Sequence, residues 1–418
     1  METIAISLFS SIMCQLSCHY CDFKNNDINK QRIIIDYIQS EKFIKDIKRI
    51  SPNLQILSLW GAEPTYTLDI ITNLLPKIKH EFPTINEIAL STNLLNVEPL
   101  KRFLLSMKKI NLKSSVQFSI DGQKEITSLN RCGGCAPLTD KIIENISEML
   151  GWLQDKELNL EFFPKPTWHG ETFKYFVDNQ KEVEKYYEFM TNLSNNINKI
   201  TTTTKRYKPS WGSPSFAIPG YYNEEDCKNF KIVCDLIKEA RLTRNDLVVT
   251  YPQEFSFISS LYSNTKALSL LERGCCSAGN SSFGINEEGK LCFCHAVFPD
   301  RKSDNTEQGN ICIAEIDEEA RIKYVVGGYI FYPELSYSIT TMMVNELAEN
   351  GFIPEVYKNN IERRNLLALM GVWVLNCPHD NIMQGSIHLR NLDLLRMWGY
   401  VEYEKYIIEG KYAPKTSE

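Results

Sequence analysis

The chain has 418 residues, a formal net charge of -6, and a composition that is 43% hydrophobic and 23% charged. These proportions are ordinary for a folded globular protein, and the length predicts one large domain with a smaller appended region. The negative charge argues against nucleic acid as the main partner and favours small molecules or peptides. No signal sequence and no apolar run of membrane-spanning length is found in the sequence, which predicts a cytoplasmic protein without a membrane partner. Thirteen cysteines in such a chain indicate metal or cluster ligation rather than disulfides.

Apolar runs of strand length alternate with segments of helical period through roughly the first 270 residues. This alternation predicts a parallel sheet with crossover helices, and therefore an α/β fold built as a partial (β/α)6 TIM-like barrel. The predicted strands are 4–9, 54–60, 87–93, 114–120, 158–163 and 247–251. The predicted helices include 68–82, 99–107 and 138–152. In such sheets the loops that leave the carboxyl ends of the strands carry the chemistry.

The sequence becomes cysteine-rich after Gly274, and residues 283–294 have the pattern of two strands joined by a turn. We therefore expect a barrel domain at 1–270 and a small α+β region with terminal helices at 271–418.

Three cysteines, Cys14, Cys18 and Cys21, follow the first predicted strand directly. A single tight loop thus carries three thiols, and three thiolates hold a [4Fe-4S] cube with one iron open to another ligand. Unrelated buried thiols or half of a zinc site are the alternative interpretations.

The spacing of these cysteines, with Tyr20 just before the last one, resembles the signature of the radical SAM superfamily. The resemblance implies that the open iron binds S-adenosylmethionine and that one electron releases a 5′-deoxyadenosyl radical. By the same resemblance Tyr20 lies against the adenine.

The second strand ends in Gly61, Ala62, Glu63 and Pro64, which resembles the Gly-Gly-Glu-Pro motif of that family. The resemblance implies that Glu63 holds the methionyl amine, because a carboxylate accepts hydrogen bonds from an ammonium group. A purely structural turn is the alternative, and Ala62 departs from the family's second glycine.

Polar residues also end the next two predicted strands. Asn93 follows the third, Ser119 and Asp121 end the fourth, and Arg131 comes ten residues later. These positions resemble those where the family holds the ribose hydroxyls and the methionyl carboxylate, although helix caps and turn residues have the same appearance.

Two further cysteine pairs do not fit the family pattern. Cys132 and Cys135 enclose two glycines, so they are either metal ligands or loop thiols without a metal. Cys227 and Cys234 lie on a predicted helix, where core packing is favoured.

The spacing of Cys276, Gly289 and Cys294 resembles the opening of the SPASM and twitch extensions, which hold auxiliary [4Fe-4S] clusters. The run of four close cysteines that continues the SPASM pattern does not follow, so a single twitch-like auxiliary cluster is expected. Its implied ligands are Cys276, Cys294 and Cys377, with Cys275, Cys292 or Cys312 as the fourth, and zinc or unligated thiols as the alternative.

His295 stands directly after Cys294, where sulfatase-maturing relatives carry an aspartate base. A histidine takes up a proton near neutral pH, so His295 is a candidate catalytic base. A hydrogen-bond donor next to a ligand cysteine is the alternative role.

These features predict a radical SAM oxidoreductase that modifies a ribosomally synthesised precursor peptide by cross-linking or oxidation. The resemblance implies a flavodoxin- or ferredoxin-type electron donor. Two alternatives stay open: a dehydrogenase of a small molecule such as a sugar, and a non-catalytic iron-sulfur or zinc protein on the same barrel.

Overall fold

The structure is a computed structural model that describes residues 4–21, 26–200, 215–216, 224–249, 282–285, 291–292, 314–316, 322–324, 341–342, 345 and 349. The chain divides into two compact units. The first consists of Met1–Pro166, Phe189–Trp211 and Ser277–Tyr329, and the second of Thr167–Glu188, Gly212–Cys276 and Ile330–Glu418. The division at residue 270 that the sequence suggests stays a prediction.

The elements are numbered in chain order. The strands are β1 Ala5–Ser11, β2 Ile56–Gly61, β3 Glu87–Thr92, β4 Lys113–Ser119, β5 Leu160–Lys165, β6 Thr167–Trp168, β7 Ser215–Phe216, β8 Ser282–Ile285, β9 Leu291–Cys292, β10 Ala314–Ile316 and β11 Ile322–Tyr324. The helices are α1 Ile28–Gln39, α2 Glu41–Ile50, α3 Leu68–Glu81, α4 Val97–Lys109, α5 Lys124–Arg131, α6 Ala136–Leu153, α7 Gly170–Asp178, α8 Glu182–Ile200 and α9 Glu224–Thr243.

The first unit contains one open sheet with the strand order β11-β10-β9-β8-β1-β2-β3-β4-β5. The six strands from β8 to β5 are parallel, whereas β9, β10 and β11 are joined by antiparallel pairing. Helices alternate with β1 to β5 along the chain, and the sheet does not close within the described residues. These features confirm the predicted α/β partial barrel.

The sixth parallel strand is not the one that the sequence suggested. The described part of the predicted strand, residues 247–249, has no strand structure, and residues 250–251 lie outside the described residues. Its place among the parallel strands is taken by β8, which pairs with β1 from Ala5 opposite Ser282 to Leu8 opposite Ile285. The same strand pairs antiparallel with β9, which confirms the predicted hairpin.

The elements form where apolar residues repeat with the matching period. On α2, for example, Phe43, Ile44, Ile47 and Ile50 are buried along one face, and Ser40 caps the first turn. Inside the sheet, the rings of Phe118 and Phe162 stack with their centroids 4.5 Å apart across β4 and β5.

In the second unit β6 pairs in parallel with β7, and Trp168 packs against Phe176 and Tyr186 with ring centroids 5.1 Å apart in each case. Cys234 on α9 is fully buried, which confirms core packing for this thiol, whereas the side chain of Cys227 lies outside the described residues. Among the helices that the structure describes, none has the length and apolar character required to cross a membrane.

Candidate functional site

The parallel strands β1 to β4 deliver the predicted site residues to one edge of the sheet. All four strands run in the same direction, so their carboxyl ends meet there. The three-cysteine segment follows β1, Glu63 follows β2, Asn93 follows β3 and Asp121 follows β4. This convergence was predicted from the alternation of strands and helices.

Residues 14–21, here called the cysteine loop, are held by hydrogen bonds at both ends. The Cys14 amide donates to the Asn26 side-chain oxygen over 3.1 Å, and the Cys21 amide donates to the Cys18 carbonyl over 3.1 Å. All three cysteines are half-buried. Hydrogen bonds therefore hold the backbone of the loop, and each of the three cysteines stays partly exposed.

The carboxyl end of α5 supports the middle of the cysteine loop. The Ser17 amide donates to the Arg131 carbonyl over 3.3 Å, and the His19 amide donates to the Asn130 carbonyl over 3.1 Å. The last carbonyls of a helix lack partners within the helix. Here they accept from the residues on either side of Cys18.

Burial disfavours the charged thiolate form of Cys14 and Cys18. Burial, with smaller contributions from Glu63 and Cys21, raises the pKa of Cys14 to about 11, and burial also raises the pKa of Cys18. Bound iron stabilises the thiolate form and so offsets this cost. In the part of the chain that is described, no three Cys, His, Asp or Glu side chains are grouped closely enough for a single metal ion. Three thiols on one loop fit the larger iron-sulfur cube better than one ion.

The carboxylate of Glu63 is buried and accepts three hydrogen bonds from the protein. Oε1 accepts from the Thr92 hydroxyl over 2.7 Å and from the Thr65 amide over 3.2 Å, and Oε2 accepts from the Asn93 amide over 2.8 Å. A carboxylate offers about four acceptor positions. Among the described groups one donor, the Asn93 amide, reaches Oε2, so this oxygen can accept one further hydrogen bond. Burial raises the pKa of Glu63, and these hydrogen bonds oppose that shift.

The turn before Glu63 explains how Ala62 is accommodated. Gly61 has a φ of +119°, and a Cβ at this position would lie 2.2 Å from the Ser11 carbonyl oxygen. Gly61 is therefore required by its backbone conformation and by its close contact with β1. Ala62 is not among the residues with positive φ, and its amide donates to the same Ser11 oxygen over 2.7 Å.

Asn93 connects the end of β3 to the cysteine loop. Its side-chain amide nitrogen lies 3.5 Å from the Cys14 sulfur and donates to the Gln15 side-chain oxygen over 3.2 Å. Its side-chain oxygen accepts from the Leu95 amide over 2.9 Å. Asn93, which the sequence resemblance predicts to bind the nucleoside, thus also contacts a predicted cluster ligand.

Asp121 and Arg131 form a buried ion pair beside the cysteine loop, and the half-buried Tyr20 is hydrogen-bonded to it. Arg131 Nη2 donates to Asp121 Oδ1 over 2.7 Å, and the Tyr20 hydroxyl donates to Asp121 Oδ2 over 2.8 Å. The Arg131 guanidinium also lies 5.5 Å from the centre of the Tyr20 ring. Burial acts to lower the pKa of Arg131, but the charges of Asp121, Tyr20 and Cys18 outweigh it and raise the pKa. Ser119 lies half-buried at the end of β4.

Buried polar atoms near this edge that lack hydrogen-bond partners within the described part of the chain include Gln31 Nε2 and Arg131 Nε. Buried polar groups in folded proteins normally have partners. A polar ligand or an ordered water at this edge would supply the missing partners. Arg131 Nε is the most informative of them, because the same side chain was predicted to bind a carboxylate.

Sequence reasoning missed Gln31, a residue of α1 that supports the start of the cysteine loop. Its side-chain oxygen accepts from the Ser11 hydroxyl over 3.1 Å and from the Ile12 amide over 3.0 Å. Gln31 is buried together with Ile34, Tyr37 and Ile38. A polar residue at a buried position of a helix was the signal that could have identified it.

The candidate residues of the carboxyl-terminal region lie outside the described residues, so their roles stay predictions. They are Cys275, Cys276, Cys294, His295, Cys312 and Cys377. Cys292 belongs to β9, but its side chain is likewise not described.

Comparison with known proteins supports the iron-sulfur assignment of the amino-terminal region. Residues 4–132 match the family described as the 4Fe-4S single cluster domain. This match spans the cysteine loop and confirms the 4Fe-4S cluster predicted from it. No curated protein matches the chain.

Among solved structures, the chain is similar to native anSMEcpe with bound AdoMet, at 16% identity over 70% of this chain and 74% of that one, with a TM-score of 0.44. It is also similar to native anSMEcpe with bound AdoMet and Kp18Cys peptide, at 18% identity over 74% of this chain and 80% of that one, again with a TM-score of 0.44.

Proposed function

We propose that the 4Fe-4S single cluster domain at residues 4–132 belongs to a radical SAM enzyme that modifies a ribosomally synthesised peptide. The proposal rests on one observation. The cysteine loop lies beside Glu63, Asn93 and Arg131 at one edge of the sheet. When bound, the cluster supplies the electron that cleaves S-adenosylmethionine. The proposal includes an oxidoreductase activity, a cytoplasmic location and a flavodoxin- or ferredoxin-type electron donor.

The residues at the edge have separate tasks in this proposal. Glu63 offers its remaining acceptor position to the methionyl ammonium group. Arg131 offers its unpaired Nε to the methionyl carboxylate. Tyr20, fixed by Asp121, presents the face of its ring to the adenine.

The proposed peptide substrate rests on the resemblance of Cys276, Gly289 and Cys294 to the twitch extension. Relatives with such regions mostly modify peptides, by thioether, ether or carbon-carbon cross-links. Cys276, Cys294 and Cys377 would hold an auxiliary cluster there, and such a group would supply an electron acceptor for an oxidation of the substrate. His295 is the proposed base.

The proposal is tested by incubating the reconstituted, dithionite-reduced full chain with S-adenosylmethionine under anaerobic conditions. We expect release of 5′-deoxyadenosine, and none from the variant in which Cys14, Cys18 and Cys21 are all alanine. Cys234→Ser is the matched control, because it changes a buried thiol on α9. A wild-type chain that carries iron but releases no 5′-deoxyadenosine contradicts the enzyme assignment.

The substrate class is tested separately. A short peptide encoded beside the gene is added to the same reaction and examined by mass spectrometry. We expect the peptide to lose two hydrogen atoms per modification. Modification of a sugar but not of the peptide supports the small-molecule alternative and contradicts the peptide assignment.

A further inference from the structure

Cys132 and Cys135 lie at the two ends of a glycine turn between α5 and α6 and have no task in the proposed function. The Cys135 amide donates to the Cys132 carbonyl over 3.0 Å, and Gly133 and Gly134 have φ values of +56° and +81°. A four-residue turn with this hydrogen bond and two positive φ values is of type I′. Such a turn brings the outer Cα atoms within about 7 Å, and disulfides span roughly 4.4–6.8 Å between Cα atoms.

The two glycines are needed for their backbone conformation rather than for space. A Cβ added to either would meet no atom within 4 Å, yet both lie in the left-handed region. The Ser128 carbonyl accepts from the Cys132 amide over 3.2 Å and from the Gly134 amide over 3.1 Å. The turn is therefore fixed on the end of α5 in the shape that keeps its outer residues close.

The two thiols differ in accessibility. Cys132 is 5% exposed, whereas Cys135 is exposed. An exposed thiol can react with a reagent in solution, and a nearby second thiol can then displace that reagent. The described residues offer no third Cys, His, Asp or Glu that would complete a metal site with this pair.

We propose that Cys132 and Cys135 form a redox modification site that low-molecular-weight disulfides oxidise to an intramolecular disulfide. The Cys135 thiolate attacks one sulfur of the reagent and releases one thiol, which leaves a mixed disulfide on Cys135. Cys132 then loses its proton, attacks the Cys135 sulfur and releases the second thiol. Two electrons pass from the protein to the reagent, and the site requires neither the cluster nor S-adenosylmethionine.

The position of the turn links this site to two loops of the candidate functional site. The end of α5 holds the cysteine loop through the carbonyls of Asn130 and Arg131. On α6, the Asn145 side chain donates to the carbonyls of Leu94 and Leu95, over 2.7 and 3.2 Å, directly after Asn93. A disulfide across the turn would therefore constrain the connection between α5 and α6, the helices that support these two loops.

The sequence allows a direct test, because trypsin cleaves after Arg131 and Lys141 and releases residues 132–141 as a peptide with only these two cysteines. The full chain is treated anaerobically with excess glutathione disulfide, quenched in acid with N-ethylmaleimide and digested. We expect a peptide two hydrogens lighter than the dithiol, about ten-fold in excess over the doubly alkylated form and reversed by dithiothreitol. The tryptic peptide 232–238, which carries only the buried Cys234, is the internal control and should stay a free thiol.

Three variants separate this site from other thiol chemistry. In Cys132→Ser we expect Cys135 to retain a glutathione adduct, and in Cys135→Ser we expect Cys132 to remain reduced. The double variant Gly133→Ala and Gly134→Ala, which disfavours the turn, should lose most of the internal disulfide. The proposal is overturned if the wild-type peptide remains doubly alkylated, carries glutathione on Cys135 without ring closure, or resists alkylation until zinc is chelated.

Discussion

At the residue scale, Glu63 supports the structure of the site in addition to its proposed role with the ligand. Glu63→Ala leaves the buried Thr92 hydroxyl and the amides of Thr65 and Asn93 without their acceptor. Each unsatisfied buried group costs about 1–3 kcal/mol, so the variant should unfold at clearly lower urea concentration. Glu63→Gln keeps one acceptor oxygen and should lose less stability, while both variants release less 5′-deoxyadenosine.

The matched control is Glu125→Ala, which removes an exposed carboxylate on α5 and should change the free energy of unfolding by less than about 0.5 kcal/mol. If Glu63→Ala unfolds at the same urea concentration as Glu125→Ala, the hydrogen bonds to Glu63 do not stabilise the fold. If Glu63→Gln is stable and cleaves S-adenosylmethionine normally, the negative charge of Glu63 has no role in the reaction.

The buried pair of Asp121 and Arg131 permits a second prediction at this scale. Arg131→Met leaves the fully buried Asp121 carboxylate without its charge partner, which should cost about 3–5 kcal/mol in the free energy of unfolding. Adding Asp121→Asn to Arg131→Met removes the uncompensated charge and should restore part of that loss. Urea unfolding of the two single variants and the double variant measures the coupling.

The exposed pair of Asp69 and Arg102 is the control, because its bidentate contacts of 2.8 and 2.9 Å lie between side chains that are more than half exposed. Arg102→Met should cost less than about 1 kcal/mol. An equal loss in the two single arginine variants would show that the burial of Arg131 has no energetic consequence.

Sequence reasoning found the residues of the site more readily than their partners. Strand ends indicated where Glu63 and Asp121 would lie, because the carboxyl edge of a parallel sheet is fixed by the order of elements. Arg131, at the end of α5, was identified by its resemblance to a family position. The sequence did not indicate that Arg131 pairs with Asp121, since that contact depends on how α5 returns to the end of β4. Gln31 was missed for the same reason: its partners are Ser11 at the end of β1 and the adjacent Ile12.

At the scale of elements, the contact between β1 and β2 determines the backbone at the site. Gly61→Ala forces a Cβ to within 2.2 Å of the Ser11 oxygen at a φ of +119°. The variant should lose at least about 2 kcal/mol in the free energy of unfolding, because strain at positive φ adds to the steric clash. The amides of Ala62 and Glu63, which follow Gly61, donate to the carbonyls of Ser11 and Met13, which precede the cysteine loop. Displacing them should disturb that loop, so the variant should also bind less iron on reconstitution.

Gly151→Ala is the matched control on α6, where an added Cβ meets no atom within 4 Å. Alanine is favoured over glycine inside a helix, so this variant should gain about 0.5–1 kcal/mol. Thermal unfolding of both variants beside the wild type measures the difference. Equal melting temperatures for the two would contradict the steric role of Gly61.

The order of strands could be predicted only in part at this scale. Local apolar runs located β1 to β5 within a few residues, because each run has to be buried in the sheet. The pairing of β8 with β1 could not be read in the same way, since a four-residue strand has no local signal for its neighbour. An apolar run at 247–251 carried the same pattern as a true strand, and its described part does not join the sheet.

At the scale of the whole molecule, the number of clusters distinguishes a one-cluster protein from one with an auxiliary site. The family match covers only residues 4–132, and the cysteines predicted to hold a second cluster come after residue 274. If both clusters form, anaerobic reconstitution should give about eight iron and eight sulfide per chain. Replacing Cys14, Cys18 and Cys21 with alanine should leave about four of each, because the second ligand set is separate in sequence.

In the complementary variant Cys276, Cys294 and Cys377 are alanine, and it should also retain about four iron atoms. After reduction, the electron paramagnetic resonance spectrum of the remaining cluster should change when S-adenosylmethionine is added. Cys132→Ser with Cys135→Ser is the control, because the described residues around that turn offer no further ligand, and it should keep the full iron content. If the first triple variant retains no iron while wild type binds about four atoms, the chain holds one cluster and the auxiliary site is wrong. Electron transfer from a substrate radical to a second cluster is then excluded as the route to an oxidised product.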